Sequence, residues 1–293
     1  MTPEQTFNAL QRTAREQGRA VQELLTMYVL ERFLARLVES SYADSFVLKG
    51  GVLLAGYGLR RPTRDVDMQA IDFMLDEEHC RQVVEAVAAA GADDGVVFDA
   101  IPTRIEQIRN EEEYSGLRVQ VRAQLYRSPI ALKLDISTGD PISPHAQLVT
   151  MPRILGGEFT VMGHPPETVV AEKAVTILQR GATSTRWRDY MDLRSLALSR
   201  SFNAGVLRTA IEEVAKHRKI ELSAPSASLT GHDELAQQKW AAWRKKTDVE
   251  DITLAVLSDQ LIEVSQFLDP IFVGGLGTGT NWDPVSWTWS AHR

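Results

Sequence analysis

Apolar and polar residues alternate along two neighbouring stretches in the middle of the chain. In residues 116–126 every second position is apolar and the positions between are arginine or glutamine, and residues 130–137 show a similar alternation. A period of two is typical of a β-strand with one buried face. Because Ser128 and Pro129 lie between the stretches and favour a turn, the pattern predicts an antiparallel hairpin.

Apolar residues recur at helical spacing through most of the remaining sequence, and the pattern changes at Pro165 and Pro166. Before these prolines, helices alternate with short apolar runs that fit strands, and after them the pattern is almost wholly helical. We therefore expect an α+β fold, with a mixed sheet in a domain of residues 1–164 and a helical domain of residues 165–293. The predicted helices cover residues 2–18, 19–40, 76–90, 167–180, 186–199, 204–219, 233–246 and 249–267. The predicted short strands cover residues 45–48, 65–68, 95–100, 147–154 and 158–162, and residues 268–293 show no helical period.

One stretch of the first domain combines a glycine pair with paired carboxylates. A short apolar run predicts a buried strand that stops at Gly50 and Gly51, a helix follows, and Asp65-Val66-Asp67 opens the next strand. Residues two apart on a strand point to the same side. Asp65 and Asp67 are therefore expected to share one face while Val66 points into the core.

Two carboxylates held this close repel each other, which favours a cation between them. Oxygen ligands of this kind suit Mg²⁺, which takes further ligands from water and from the phosphates of a substrate. Asp135, on the polar side of the second hairpin strand, is a candidate third carboxylate. The glycine pair lets backbone N–H groups approach a phosphate oxygen. The competing interpretation is a solvated turn, but the combination favours a metal site of Asp65, Asp67 and Asp135.

Composition restricts the class of protein further. The 293 residues are 44% hydrophobic and 24% charged, which is ordinary for a globular protein, and the formal net charge is −7. That charge argues against a general nucleic-acid coat, although a local basic patch can still contact RNA. Cys80 is the single cysteine, and the N-terminus has no secretory pattern, so we expect a cytoplasmic location. No apolar run approaches membrane-spanning length.

The order of the motifs resembles that of the DNA polymerase β-type nucleotidyltransferases, in which a Gly-Gly turn, a helix and Asp-x-Asp on the next strand form the signature. Further stretches resemble the AbiE-type toxins (AbiEii-like, including the MenT group). These stretches are Lys49-Gly50-Gly51, Thr63-Arg64-Asp65-Val66-Asp67, Leu132-Lys133-Leu134-Asp135, Glu172-Lys173-Ala174 and Arg188-Asp189-Tyr190-Met191-Asp192-Leu193. The resemblance covers roughly residues 45–200 and implies a polymerase β-like nucleotidyltransferase domain.

The resemblance also implies roles for residues outside the aspartate pair. The toxins have a functional lysine at the position of Lys173, and Asp192 matches a catalytically required aspartate with Asp189 as its close companion. By spacing alone, Lys173 fits a surface lysine equally well, and the two aspartates fit a salt-bridged helix face. The residues expected to bind nucleotide are Lys49, Gly50, Gly51, Thr63 and Arg64. In some relatives a hydroxyl residue at the position of Thr63 is phosphorylated, so Thr63 is a possible switch.

The reaction implied by the resemblance is Mg²⁺-dependent transfer of NMP from an NTP to the 3′ acceptor end of tRNA, which blocks translation and is counteracted by a cognate antitoxin. Two other hypotheses remain open on the sequence. The same site can modify a protein hydroxyl or a small molecule such as an aminoglycoside. Alternatively, the fold can be a non-catalytic module that binds nucleotide or a partner, although the intact Asp65, Asp67, Lys173 and Asp192 argue against this.

Overall fold

The computed structural model describes residues 1–109, 115–183 and 185–291. The chain forms two compact units, of which the first comprises Met1–Gly139 and Ala146–His164. The second comprises Asp140–His145 and Pro165–Arg293. The segment Asp140–His145 was expected in the first domain, but its contacts attach it to the second unit. Arg218 donates two hydrogen bonds to the Asp140 carboxylate, at 2.8 and 2.6 Å.

The described residues of the first unit form eight strands and four α-helices. The strands are β1 (Phe46–Lys49), β2 (Asp65–Ala70), β3 (Val96–Phe98), β4 (Arg104–Arg109), β5 (Ser115–Leu125), β6 (Ser128–Ser137), β7 (Gln147–Pro152) and β8 (Glu158–Gly163). The helices are α1 (Pro3–Glu16), α2 (Val21–Leu37), α3 (Gly50–Leu53) and α4 (Glu77–Ala89), with 3₁₀ turns at Ala43–Ser45 and Leu54–Tyr57.

The eight strands form one mixed sheet in the order β3-β5-β6-β2-β1-β8-β7, and β4 pairs with another part of β5. Strands β2 and β6 run parallel, as do β1 and β8, while the other pairs are antiparallel. The predicted α+β class with a mixed sheet is therefore confirmed. Parallel pairing of β2 with β6 matters for function, because it brings together the two strands that carry the motif aspartates.

The predicted hairpin is confirmed, but its turn lies earlier than expected. Tyr126, with a φ of +52°, and Arg127 make the turn, while Ser128 and Pro129 already pair with Leu125 and Gln124 in β5. Proline lacks an N–H and is tolerated near the start of a strand. Strand β6 pairs with β2 only from Lys133 onwards, so Pro129 interrupts no ladder on that side.

Strand β4 was not predicted. Its two isoleucines, Ile105 and Ile108, are three residues apart, so the segment lacks the alternation that marks a strand. The strand forms through backbone pairing with β5, in which Ile105 lies opposite Val119. Long-range pairing of this kind leaves little trace in the local sequence.

Helix α2 contributes the central apolar layer of the first unit. Most of its residues are buried, and it contacts β5, β6 and β8 as well as α1 and α4. Helix α1 begins with a capping box: Gln5 N–H donates to Thr2 Oγ1 at 3.2 Å, and Thr2 N–H donates to Gln5 Oε1 at 2.9 Å.

The second unit contains six α-helices and a two-stranded hairpin. They are α5 (Pro166–Arg180), α6 (Trp187–Ser199), α7 (Ala204–His217), α8 (Pro225–Ser228), α9 (His232–Thr247), α10 (Leu257–Val273), β9 (Thr280–Asp283) and β10 (Thr288–Ala291). A 3₁₀ turn at Gly181–Thr183 follows α5. None of the helices in the described ranges is long and apolar enough to cross a membrane.

The prediction of a helix over residues 249–267 is wrong at both ends. Helix α10 begins at Leu257 and continues through Pro270 to Val273. The preceding residues form a connection held by Arg244, whose guanidinium donates to Thr253 Oγ1 at 2.7 Å and to the Glu250 carbonyl at 2.9 Å. A charged side chain from α9 thus satisfies backbone carbonyls that a helix would otherwise have bonded.

The C-terminal tryptophans Trp282 and Trp289 cover apolar surface of the second unit. Trp282 is 1% exposed, and its ring centroid lies 5.0 Å from that of Phe267 on α10. Trp289 stacks on the same phenylalanine at 5.8 Å. Both indoles belong to the β9–β10 hairpin. The sequence indicated only that this region lacks a helical period, so the hairpin was not predicted.

Candidate active site

The glycine pair and the aspartate pair lie against each other at the junction of β1 and β2. In the antiparallel β1–β2 pair, Lys49 lies opposite Asp67, and Gly50 follows with a φ of +66°. A Cβ atom at Gly50 would lie 2.0 Å from Asp67 Oδ2. Both the left-handed backbone and the missing side chain are therefore required at Gly50. The glycine pair and the aspartate pair are therefore in direct contact.

Gly51 is fixed by the segment that leads into β2. A Cβ atom there would lie 2.8 Å from Thr63 Oγ1 and 2.8 Å from Arg61 Nη1. Thr63 is buried, and its hydroxyl donates to the Arg61 carbonyl at 3.2 Å. The segment of Arg61 and Thr63 is thus packed directly over the glycine turn, while Arg64 is exposed to solvent. A phosphorylating enzyme can reach Thr63 only if this packing opens.

The aspartates occupy the face that the strand period predicts. Val66 is fully buried, and Asp65 and Asp67 on either side of it are partly exposed. The parallel β2–β6 register places Asp67 opposite Asp135. The sheet therefore brings the three predicted carboxylates to neighbouring positions.

One carboxyl group of this site, that of Asp67, has a raised pKa. Burial raises the pKa of Asp67 from 3.8 to about 6, with a further contribution from the negative charges of Asp65 and Asp135. The cations Lys49 and Arg61 oppose the shift without cancelling it. Asp67 is thus a carboxyl group that a bound cation would stabilise in its ionised form.

Asp135 already has a cationic partner. Arg118 lies opposite it on β5 and donates from Nε to Asp135 Oδ1 at 2.8 Å and from Nη2 to Oδ2 at 2.6 Å. This hydrogen bond raises the pKa of Arg118, so the guanidinium stays charged. Both carboxylate oxygens of Asp135 are engaged in a bidentate ion pair. The alternation of residues along the strand predicts Arg118 only as part of a polar face.

The donor chemistry of Asp65 and Asp67 suits a magnesium ion, since both supply carboxylate oxygen and both carry the repulsion that a cation relieves. Among the described residues, however, no three acidic, histidine or cysteine side chains are arranged to hold a metal ion. The aspartate pair therefore fits the ion, while Asp135 as a third ligand stays a prediction.

A second cluster lies in the second unit, where α5 contacts α6. Lys173 Nζ on α5 donates to Asp189 Oδ1 at 2.6 Å and lies 2.8 Å from Asp192 Oδ2. The two aspartates are three residues apart and project from one face of α6. All three side chains are largely buried, and that of Asp192 is 2% exposed.

The burial of this cluster decides between two interpretations of its residues. A surface salt bridge contributes little to stability, but a buried ammonium flanked by two carboxylates is costly unless its geometry is closely satisfied. The structure thus brings together Lys173, Asp189 and Asp192, the three residues that the sequence predicted in the second domain. The cluster is therefore a buried set of ion pairs rather than a solvent-exposed helix face.

The sheet, the glycine turn and the adjoining aspartates define the chain as a nucleotidyltransferase-type protein. A family model described as "Nucleotidyl transferase AbiEii toxin, Type IV TA system" matches residues 32–266. The chain therefore belongs to the AbiEii family of nucleotidyltransferase toxins. Membership implies a nucleoside triphosphate substrate and an antitoxin partner.

Several solved structures match the chain at low sequence identity, and three of them illustrate the range. JHP933 from Helicobacter pylori matches with a TM-score of 0.50 at 16% identity, over 87% of this chain and 94% of that one. A candidate nucleotidyltransferase from H. pylori matches with a TM-score of 0.48 at 19% identity, over 84% and 96%. An antigenic nucleotidyltransferase-like protein from Paracoccidioides brasiliensis gives 0.36 at 17% identity, over 70% and 92%. The likeness to JHP933 shows the fold alone, and comparison with curated proteins finds no match.

Proposed function

We propose that this AbiEii-family protein transfers a nucleoside monophosphate from an NTP to the 3′ acceptor end of tRNA. The supporting observation is the contact between the glycine turn and the aspartate pair, in which Gly50 leaves room only for the Asp67 carboxylate. Such a turn places backbone N–H groups and carboxylates at one point, as transfer of a phosphoryl group requires. A tRNA blocked at its 3′ end cannot be aminoacylated, so translation stops.

In the proposed reaction the terminal ribose hydroxyl of the tRNA attacks the α-phosphorus of the NTP. A new oxygen–phosphorus bond forms, the bond between the α- and β-phosphates breaks, pyrophosphate leaves, and the hydroxyl proton is released. Lys49, Arg64 and the turn of Gly50 and Gly51 would bind the triphosphate. Thr63 would hold the turn in place through its contact with Gly51.

Asp65 and Asp67 would hold Mg²⁺, and Asp135 would join them if Arg118 released it. When bound, the ion would stabilise the negative charge that develops on the reacting phosphate and leaving group. We further propose that Lys173, Asp189 and Asp192 are required for transfer. Each of these residues also takes part in the ion pairs of the cluster. The role of each in transfer is therefore tested by substitution, with a separate measurement of folding.

The test is incubation of the purified protein with total tRNA, Mg²⁺ and each labelled NTP in turn. Asp67→Asn and Lys173→Met are compared with Asp99→Asn, which makes the same acid-to-amide change at an exposed aspartate of the first unit. We expect label in tRNA with the wild type and Asp99→Asn, and none with the other two. Circular dichroism of every variant separates loss of activity from loss of fold.

The same assay distinguishes the other acceptors. Label that moves to protein, or to an added aminoglycoside, while tRNA stays unlabelled would refute the tRNA acceptor but keep the transferase. A wild type that transfers no label to any acceptor and binds no NTP would refute the transferase as a whole.

A further inference from the structure

The second unit contains a groove of about 780 Å³ that the proposed reaction does not use. It runs between α10, the loop before α9 and the β9–β10 hairpin. Its apolar lining combines Leu229 and Ile262 with the indoles of Trp282, Trp287 and Trp289. Ile262 is 53% exposed, although it is a large aliphatic residue within a helix. An exposed aliphatic side chain beside several indoles is typical of a surface that binds a partner.

The charge of the groove is uniformly negative. Among the described residues that line it, the charged ones are Asp233 and Asp269, and none is lysine or arginine. Both aspartates are partly exposed. Without cations the groove repels the phosphates of a nucleic acid, and with carboxylates beside indole rings it favours a lysine or arginine side chain.

The hairpin also presents an unsatisfied donor. The indole Nε1 of Trp287 is buried and has no hydrogen-bond partner within the described part of the chain. Trp287 has a φ of +56°, a conformation that costs energy for a residue with a side chain. The turn keeps it there, since Trp287 N–H donates to the Asp283 carbonyl at 2.9 Å. The strained turn therefore fixes Trp287 at the edge of the groove that it lines.

From these observations we propose that the groove docks an apolar, cationic segment of a partner protein. The apolar side chains of the segment cover Ile262 and the indole faces. Its lysine or arginine side chains meet Asp233 and Asp269. Aromatic anchors with oppositely charged neighbours are the usual source of affinity in such contacts. This inference is independent of the proposed transferase activity.

The test uses fluorescence anisotropy of three labelled probes with the full-length protein. The probes are an amphipathic peptide of leucine, alanine and arginine, the same peptide with glutamate in place of arginine, and an oligouridine of similar length. We expect the arginine peptide to bind and the other two to bind at least about tenfold more weakly. Binding of the arginine peptide should weaken as salt is added, because partly exposed charges are screened.

Two pairs of substitutions that each remove two negative charges test whether the peptide binds in the groove. Asp233→Asn with Asp269→Asn should weaken the arginine peptide about tenfold. The control is Asp251→Asn with Asp259→Asn, which removes two charges from exposed aspartates of the same unit that do not line the groove. Asp233 and Asp259 each lie in the first turn of a helix, so the two pairs have similar effects on helix stability.

Three results would overturn the inference. One is equal affinity for the arginine and glutamate peptides, and another is equal weakening by the two pairs of substitutions. The third is a concentration-dependent dimer of the wild type that Ile262→Arg abolishes, since this would assign the groove to a second copy of the chain.

Discussion

The raised pKa of Asp67 makes a quantitative prediction about the metal-free protein. Folding raises this pKa from 3.8 to about 6, a shift of roughly two pH units at about 1.4 kcal/mol each. Part of the side chain is solvent-accessible, so we expect a net cost of about 2 kcal/mol to the first unit when the group is ionised. Asp67→Asn removes the charge while keeping the shape, and it should recover this free energy.

The sign of the pH dependence follows from proton binding. Between about pH 4 and pH 6 the folded state holds a proton on Asp67 that the unfolded state has lost, so the contribution of this group to stability falls as the pH rises. Below the unfolded pKa both states are protonated and the penalty vanishes, and above the folded pKa it is fully present. The advantage of Asp67→Asn should therefore be near zero at about pH 4 and largest at about pH 8.

The measurement is hydrogen–deuterium exchange of the β2 amides in the presence of a chelator. Wild type and variant are compared at the same pH, and about 2 kcal/mol corresponds to exchange slowed about thirtyfold in Asp67→Asn. All six tryptophans lie in the second unit, so their fluorescence during urea unfolding serves as an internal control that should not change. Asp99→Asn controls for the loss of one negative charge.

Either of two outcomes would refute the reasoning. Equal exchange in wild type and Asp67→Asn at about pH 8 would show that the carboxylate is not destabilised. An advantage of the same size at both pH values would show that the cause is packing rather than ionisation. Addition of Mg²⁺ at about pH 8 should slow exchange in the wild type but not in Asp67→Asn, because the ion relieves a repulsion that the variant lacks.

Three other substitutions test the two clusters. Gly50→Ala places a methyl group 2.0 Å from a carboxylate oxygen at a φ of +66°, so thermal unfolding should show a loss of about 2 kcal/mol or more, and an unchanged midpoint would contradict the packing. Arg118→Gln frees the carboxylate of Asp135, and calorimetry should show Mn²⁺ binding about tenfold more tightly than to the wild type; unchanged or weaker binding would contradict this. Lys173→Met removes the ammonium beside the buried Asp192 and should cost about 3 kcal/mol in urea unfolding followed by tryptophan fluorescence. Adding Asp192→Asn to it should recover part of that loss.

Local patterns in the sequence predicted the central part of the first unit. The alternation in the hairpin, the burial of Val66 and the glycine turn each depend on residues close together in the chain. Helix α10 shows where such patterns fail. Its predicted start ignores Arg244, a residue of the preceding helix that bonds the connection through its side chain. Side-chain bonds to a neighbouring segment have no period and leave no local signal.

The partner of Asp135 shows how a small error in a turn changes a site. The predicted hairpin turn lies two residues too far along the chain. Because a shift of the turn moves every cross-strand pair, a turn at Ser128 and Pro129 would place Asp135 opposite Arg122, whereas the observed register places it opposite Arg118. Both registers put an arginine beside the carboxylate, since arginines recur along that face of β5. The sequence therefore contained the signal for an ion pair at Asp135 but not the identity of its partner.

Several buried or partly buried aspartates are paired with a cationic side chain of the protein itself. Asp94 is paired with Arg36, Asp135 with Arg118, and Asp140 with Arg218, each by two hydrogen bonds from one guanidinium. Lys173 serves the same purpose for the acids of α6. At Asp67, burial and the negative charges of Asp65 and Asp135 raise the pKa, and the cations Lys49 and Arg61 oppose the shift only in part. A metal ion at the glycine turn would relieve the repulsion among these carboxylates, as the arginines and Lys173 do for the other aspartates.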